Sequence, residues 1–452
     1  MRVTKTVLGA MLSSLLVSAA VAQDRGPDVR QPSSVRPTAF EYDSYLYYAP
    51  EKPSASPSDV AACPTCVPQG CESYEKGCGA GCGKNGCEPW TLPQPCVLSK
   101  HGISISGWVD QGITFNPQRD SGRYNGVVTF NDRDGEYQMN QLYMVMKRDV
   151  NTGGCGWDWG GRVDVLYGTD ARFTQAIGLE TQWNQTERFY QLALPQFYLD
   201  IGMNDWTLRM GHFYTILGYE VVTAPDNFFY SHAYTMQYGE PFTHTGMLLT
   251  RKWTDQISFS GGLHTGNDEF DDNVDGLNTV DFLGGVTWTS EEEALSLAFN
   301  LSTSEFGPDT NRTIYSLVAK MKLTERLDYI LQHDYGWQYD STGRADWYGL
   351  NQYWLYKINA CWGAGIRAEW FRDADGTRVT GIGDGNLHTG PYVGDFYEVT
   401  AGLNWKPNKN FTLRPEVRWD WFEGQTAPGS EAPFAGNRND QFLFGVDMIV
   451  TY

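Results

Sequence analysis

From Ile103 to Tyr452 the chain alternates apolar and polar residues with a period of two, segment after segment. Successive side chains leave opposite faces of a β-strand, so this repeat dictates strands with one oily and one wet face. In FTLRPEVRWDW, Phe411, Leu413, Pro415, Val417, Trp419 and Trp421 share one face, and Thr412, Arg414, Glu416, Arg418 and Asp420 share the other. ISISGWVDQGITF sets Ile103, Ile105, Val109, Ile113 and Phe115 against Ser104, Ser106, Asp110 and Thr114. Sixteen short segments of this kind follow one another, the last being QFLFGVDMIVTY. No later apolar run is long enough for a transmembrane helix.

The connections alternate in length. GMND near 202, TD at 254, SEEE at 290, TE at 324, NA at 359 and PNKN at 407 are short, and DVNTGGCGW is somewhat longer. Long connections are expected over 116–136, 168–193, 214–241, 265–280, 304–310, 337–344, 372–394 and 423–439. An even number of antiparallel strands joined in this way predicts an all-β fold, a closed antiparallel transmembrane β-barrel of about 16 strands.

In a soluble sandwich the oily faces would pack together. Three features turn them outward instead. Aromatics crowd the strand ends, with Trp108, Trp157, Trp206, Trp253, Trp288, Trp337, Trp347, Trp370, Trp405 and Trp421 expected at the membrane interfaces. The polar face carries successive charges, which suits a wet lumen. The chain ends on an amphipathic strand with a terminal aromatic, resembling the recognition signal of bacterial outer-membrane barrels. Hydrocarbon tolerates no open sheet edge, so the barrel must close, and about sixteen strands leave room for an aqueous channel. Pro415 fits this awkwardly, because it cannot donate to a ladder.

The N-terminus, MRVTKTVLGAMLSSLLVSAAVAQ, has a basic start, a short apolar core and Ala20-Val21-Ala22. It reads as a secretory signal over 1–22, which takes the chain out of the cytoplasm. Without Arg2 and Lys5 the formal net charge moves from −20 to −22, which disfavours nucleic acid as a partner. Residues 23–100 lack strand periodicity and form an expected largely irregular, Pro/Ser/Cys-rich periplasmic segment ahead of a barrel domain over 101–452. Cys63, Cys66, Cys71, Cys78, Cys82, Cys87 and Cys96 cluster there. With one C-x2-C and no histidine among them, disulfides are favoured over zinc or iron–sulfur. Seven is odd, which leaves a thiol for Cys155, Cys361 or another chain.

One long connection stands apart. Residues 214–241 hold Tyr214, Tyr219, Phe228, Phe229, Tyr230, Tyr234 and Tyr238, no Lys or Arg, and the acids Glu220, Asp226 and Glu240. So many aromatics are costly to leave in water, so the loop is expected to fold into the barrel and narrow it; the alternative is packing on a neighbouring subunit. The stretch GHFYTILGYEVVTAPDNFFYSHAYTMQYGEPFTHTG, residues 211–246, resembles the OmpL-like beta-barrel porin-2 family, and its wording looks closest to planctomycete members. The resemblance rests on Gly218, Tyr219, Glu220, Asn227, Phe229, Tyr230, Ser231, Pro241, His244, Thr245 and Gly246 and runs over about residues 100–452. It implies an outer-membrane porin and leaves its solute open.

The pore-constriction candidates are therefore Glu220, Asp226, Glu240, Tyr219, Tyr230 and His244. Arg162, Arg209, Arg367, Arg414 and Arg418 lie on the polar face and are expected to oppose the loop's acids, creating a transverse field. His212 and His244 flank the loop and read as structural hydrogen-bonding residues. Asp268, Asp271 and Asp275 are weak calcium candidates, since no acidic stretch completes an EF-hand spacing. Neither G-x-S-x-G nor H-E-x-x-H occurs. The expectation is a passive diffusion channel without reaction or cofactor, touching outer-membrane lipid and small hydrophilic solutes or ions, with a homo-oligomer possible by analogy. An anchoring barrel that binds the envelope or other chains through acidic loops or the Cys-rich segment is the alternative.

Overall fold

The computed structural model describes residues 89–118, 122–184, 188–271, 281–305, 310–340, 343–379, 390–428 and 430–452. The expected signal sequence, six of the clustered cysteines (Cys63 to Cys87) and the calcium candidate Asp275 lie outside the described residues. A five-residue helix, Cys96–Lys100, ends the stretch read as irregular. Sixteen strands follow: β1 (Ser104–Phe115), β2 (Tyr137–Arg148), β3 (Trp157–Gly168), β4 (Gln191–Met203), β5 (Trp206–Tyr214), β6 (Thr243–Lys252), β7 (Ile257–Asn267) and β8 (Asp281–Thr289). Then come β9 (Leu295–Ser304), β10 (Asn311–Thr324), β11 (Leu327–Asp340), β12 (Gly343–Lys357), β13 (Trp362–Asp373), β14 (Tyr392–Asn408), β15 (Phe411–Thr426) and β16 (Asp440–Thr451).

Each strand pairs antiparallel with its sequence neighbour, and β1 closes on β16. Closure leaves no edge, which hydrocarbon demands. At the seam, the Gly107 and Tyr452 backbones exchange hydrogen bonds of 3.0 and 2.8 Å. The expected long connection at 337–344 is instead a two-residue link, 341–342. The alternation runs on through Trp337, Gln338, Tyr339 and Arg344, and the β11–β12 ladder extends to Asp340↔Gly343.

Alternation decides which side faces out. On β15, Arg414, Glu416, Arg418, Asp420 and Phe422 are buried while Val417 and Trp419 are exposed. The outer wall presents Leu142, Met144, Phe197, Leu199, Leu249, Phe299, Leu317, Ile366, Leu403 and Phe442. In water this surface would be a large exposed apolar area; in a bilayer it is solvated by acyl chains. Aromatics band it at both ends. Near the short turns Trp362 stacks on Trp405 at 6.0 Å, and Arg251 lies over Trp206 and Trp253 at 4.8 and 4.6 Å. Near the long loops Tyr335 stacks on Tyr348 at 4.9 Å and Tyr397 on Trp421 at 5.0 Å.

Two of the expected belt residues are not in the belts. Trp108 and Trp347 point inward, 8% and 0% exposed. Trp108 shares its parity with Ser106 and Asp110, and its indole N–H donates to Gln141 at 2.8 Å. Trp347 likewise follows Ala345 on the inner face. Pro415 faces outward, paired with Val446 of β16; towards β14 the ladder stops at Gly402↔Glu416 and resumes at Trp405↔Leu413. Its missing N–H falls in that gap.

Candidate functional site: a loop docked in the barrel

The segment between β5 and β6, residues 215–242, turns into the lumen. A 3-10 turn (Ala224–Asp226) and a π-helical turn (Thr235–Gly239) give it shape. Phe228, Phe229, Tyr230, Tyr234 and Met236 are all at most 5% exposed within the single chain. The loop therefore packs on its own barrel and is not spread over the outer wall for a neighbour.

The inner wall of β13–β16 is built to receive it. Gly365, Gly402, Glu416 and Gly445 are paired neighbours in one row across these strands. The glycines leave a trough. Phe228 fills the space where a Gly365 side chain would stand, and Phe229 lies 3.2 Å from a Cβ at Gly402. Tyr230 lies 3.2 Å from one at Gly445 and 2.6 Å from one at Gly112. Side chains at Gly365 and Gly112 would collide with the loop's aromatics and at Gly402 and Gly445 would crowd them, and packed interiors have little slack.

Polar wall residues hold the loop's backbone. Both Glu416 carboxylate oxygens accept from the Tyr230 and Ser231 N–H groups, at 2.9 and 3.1 Å. Glu369 does the same for Tyr234 and Thr235, at 2.7 and 2.6 Å. Arg414 donates to the carbonyls of Ala224 and Asn227, at 2.9 and 2.8 Å, and Arg418 to that of His232 at 2.6 Å. The Trp347 indole donates to the Gly239 carbonyl at 3.0 Å. A segment taken out of water must have its N–H and C=O groups paired, and these side chains supply partners where no ladder exists.

At the centre, Arg367 of β13 is fully buried. It donates to Glu220 at 2.7 Å, to Glu398 of β14 at 2.7 Å and to the Ser231 carbonyl at 2.7 Å. Glu220 also accepts from the Ala233 N–H at 2.8 Å and the Tyr353 hydroxyl at 3.1 Å. Burial pushes the Glu220 carboxyl up, but the Arg367 guanidinium and His232 outweigh it and hold it at about 2. Glu240 has the opposite surroundings. Burial first, and then the adjoining Asp334 carboxyl, push it well above the usual carboxylate range; Gln332 donates to it. Gly218, at φ +84°, lies against the Glu240 carboxylate, so a side chain there would strain the backbone and push that carboxylate aside.

The remaining candidates divide by what they touch. Asp226 is half-buried at the 3-10 turn, where burial raises its carboxyl. The Tyr219 ring packs on Tyr353 at 4.6 Å, and the Tyr230 hydroxyl donates to Asn140 at 3.0 Å. His244, on β6, is buried and bonded to Thr215 at 3.0 Å; His212 is bonded to Thr245 at 2.8 Å. Arg162 pairs with Asp164 at 2.7 Å, Arg209 with Asp200 at 3.0 Å, and Arg414 and Arg418 with Asp447 and Asp420. Of the expected oppositions across an open gap, Glu220 with Arg367 is a closed contact, and Glu240 faces a carboxyl. Asp268 accepts from the Phe242 and Thr243 N–H groups and Asp271 from that of Leu179. No group of three or more His, Cys, Asp or Glu that could hold a metal occurs among the described residues.

Sequence reasoning passed over Glu369, Glu398, Glu416, Trp347 and the glycine row. Their signal was parity, since all lie on inward positions, but Glu369 and Glu416 find their backbone partners 134 and 186 residues away, and Trp347 its carbonyl 108 residues away.

The family model described as "Putative beta-barrel porin-2, OmpL-like" matches residues 102–452. The chain belongs to that family. It is an outer-membrane β-barrel of the porin type. Among solved structures it is similar to an anion-selective porin from Comamonas acidovorans, at 10% identity and TM-score 0.54, covering 77% of this chain and 99% of that one. It is also similar to OmpT of Vibrio cholerae (11%, TM-score 0.50, 80% and 100%) and to OprB of Pseudomonas putida (10%, TM-score 0.50, 79% and 96%). At such identities the likeness concerns the fold. No curated protein matches the chain.

Proposed function

We propose that this porin-family barrel is a passive diffusion channel for small hydrophilic solutes or ions, with the 215–242 loop as its constriction. The observation that carries this reading is the loop's docking in its own lumen through Arg367, Glu369 and Glu416. A segment held by buried charge-assisted bonds is a fixed obstruction in a wet tube, and a fixed obstruction sets what passes by width and lining charge. No reaction step belongs to the reading; solutes run down their gradients. Purified full-length protein in planar bilayers is expected to give discrete, long-lived conductance steps. A barrel that inserts but stays silent contradicts the channel and favours the anchoring role.

A further inference from the structure

The short turns form one rim of the barrel, and the segment ahead of β1 is fastened to that rim. Beyond the end of β16 the outer edge of β1 has no strand partner, and the Gln94 side chain takes that place. Its amide donates to the Ile105 carbonyl and accepts from the Ile105 N–H, both at 2.7 Å. Asn410, in the β14–β15 turn, clamps Trp90 in the same way. It accepts from the Trp90 N–H and donates to the Trp90 carbonyl, both at 2.7 Å. The Trp90 ring lies 6.5 Å from that of Tyr452. Traced from Gln94 back to Trp90, the chain thus passes from β1 across the end of β16 to the β14–β15 turn. The next turn round the rim, β12–β13, holds Cys361. Although it sits in a turn, Cys361 is only 7% exposed. Its N–H donates to the Asn359 side chain at 2.8 Å, and its carbonyl accepts at 2.7 Å from Lys406 of β14, four residues from Asn410. Among the described residues the free thiol is Cys155, which is exposed; Cys96 and Cys361 are not free.

We propose that Cys361 forms a disulfide with Cys87 and so staples the Cys-rich segment to the short-turn rim. A disulfide holds its two Cα atoms within about 7 Å, and three residues span up to about 11 Å. Cys87 precedes Trp90 by three residues, so from the β14–β15 turn that reach covers the adjacent turn. Cys96 lies on the wrong side of Trp90 for this role. It opens the helix that leads to β1, where the His101 carbonyl accepts from Arg148 of β2 at 3.0 Å. From β1 to β13 are four strand spacings, about 19 Å along the rim. The cysteine count agrees. Setting aside Cys155 leaves eight of the nine, and with Cys361 and Cys87 joined the other six of the cluster form three pairs. The bond arises by thiol–disulfide exchange. Each thiol gives up its proton, and the two electrons pass to a protein disulfide of the cell envelope, which leaves as a dithiol. The odd cysteine of the cluster is then spent within the chain, and none is left for joining another one.

The test uses the full-length protein, purified from membranes without reductant and treated with a maleimide before and after denaturation. Trypsin with chymotrypsin then cuts at Lys84 and Trp90, which isolates Cys87 from Cys82 and Cys96. Mass spectrometry is expected to find residues 85–90 joined to 358–362, with the link lost on reduction, and to find the maleimide on Cys155. Cys87→Ser should expose Cys361 to the maleimide, and Cys361→Ser should expose Cys87. In both variants the gel mobility of the unheated barrel should stay as in wild type, since no ladder bond depends on either side chain. A wild type whose Cys361 takes up the maleimide without reductant overturns the proposal. So does a Cys361 joined to Cys96 or to any cysteine other than Cys87, or a Cys87→Ser variant whose Cys361 stays blocked.

Discussion

Replacing Arg367 by alanine is expected to destabilise the docked loop by about 3–5 kcal/mol, the usual cost of removing one partner from a buried charge cluster. Arg367 is fully buried and stands between Glu220 of the loop and Glu398 of the wall. Its loss strands two carboxylates without water and takes the donor from the Ser231 carbonyl. The damage lies in the charge left behind. Arg367→Met combined with Glu220→Gln and Glu398→Gln should therefore recover most of the loss, since a neutral set of similar volume carries no desolvation debt. Denaturant unfolding in detergent, with protease cleavage in 215–242 as the local readout, measures both. A loss below about 1 kcal/mol for Arg367→Ala would show that the cluster does not hold the loop.

Excising the loop should act on transport and spare the barrel. Joining residues 215 and 242 by a short Gly/Ser linker removes the aromatics seated on Gly112, Gly365, Gly402 and Gly445. Glu369, Glu416 and Arg414 then exchange backbone partners for water, which solvates charged groups well, so the wall tolerates the change. A sixteen-stranded barrel without an inserted segment is an open aqueous tube, and the single-channel conductance is expected to rise by roughly threefold or more. Solute size exclusion should relax in parallel. Equal conductance with and without the loop would remove it from the permeation path.

The strands could be read from the sequence because a period of two is a local property that each segment repeats. β2 and the final strand required no tertiary information. The inward positions of Trp108 and Trp347 were present in the parity of their strands, but an aromatic near a strand end suggests the membrane interface first. The loop's insertion was legible in its aromatic load. Its mode of anchoring was not. Glu416 and Glu369 look like ordinary lumenal acids until the Tyr230 and Tyr234 backbones arrive, and those partners come from a non-repeating segment far away in the chain. The charge pattern misleads in the same way. Arg367 and Glu220 suggest a field across water, and folding brings them into contact.

The account depends on lipid outside and ions inside, and β9 offers the cleanest place to measure it, since none of its inward side chains belongs to the charged docking cluster. Nitroxide labels placed singly along Leu295–Ser304 in reconstituted bilayers report collisions with oxygen, which concentrates in hydrocarbon. The account predicts high oxygen accessibility at Leu297, Phe299 and Leu301, low accessibility at Ala298, Asn300 and Ser302, and a period of two throughout. Accessibility with the opposite phase, or with no period, would contradict it.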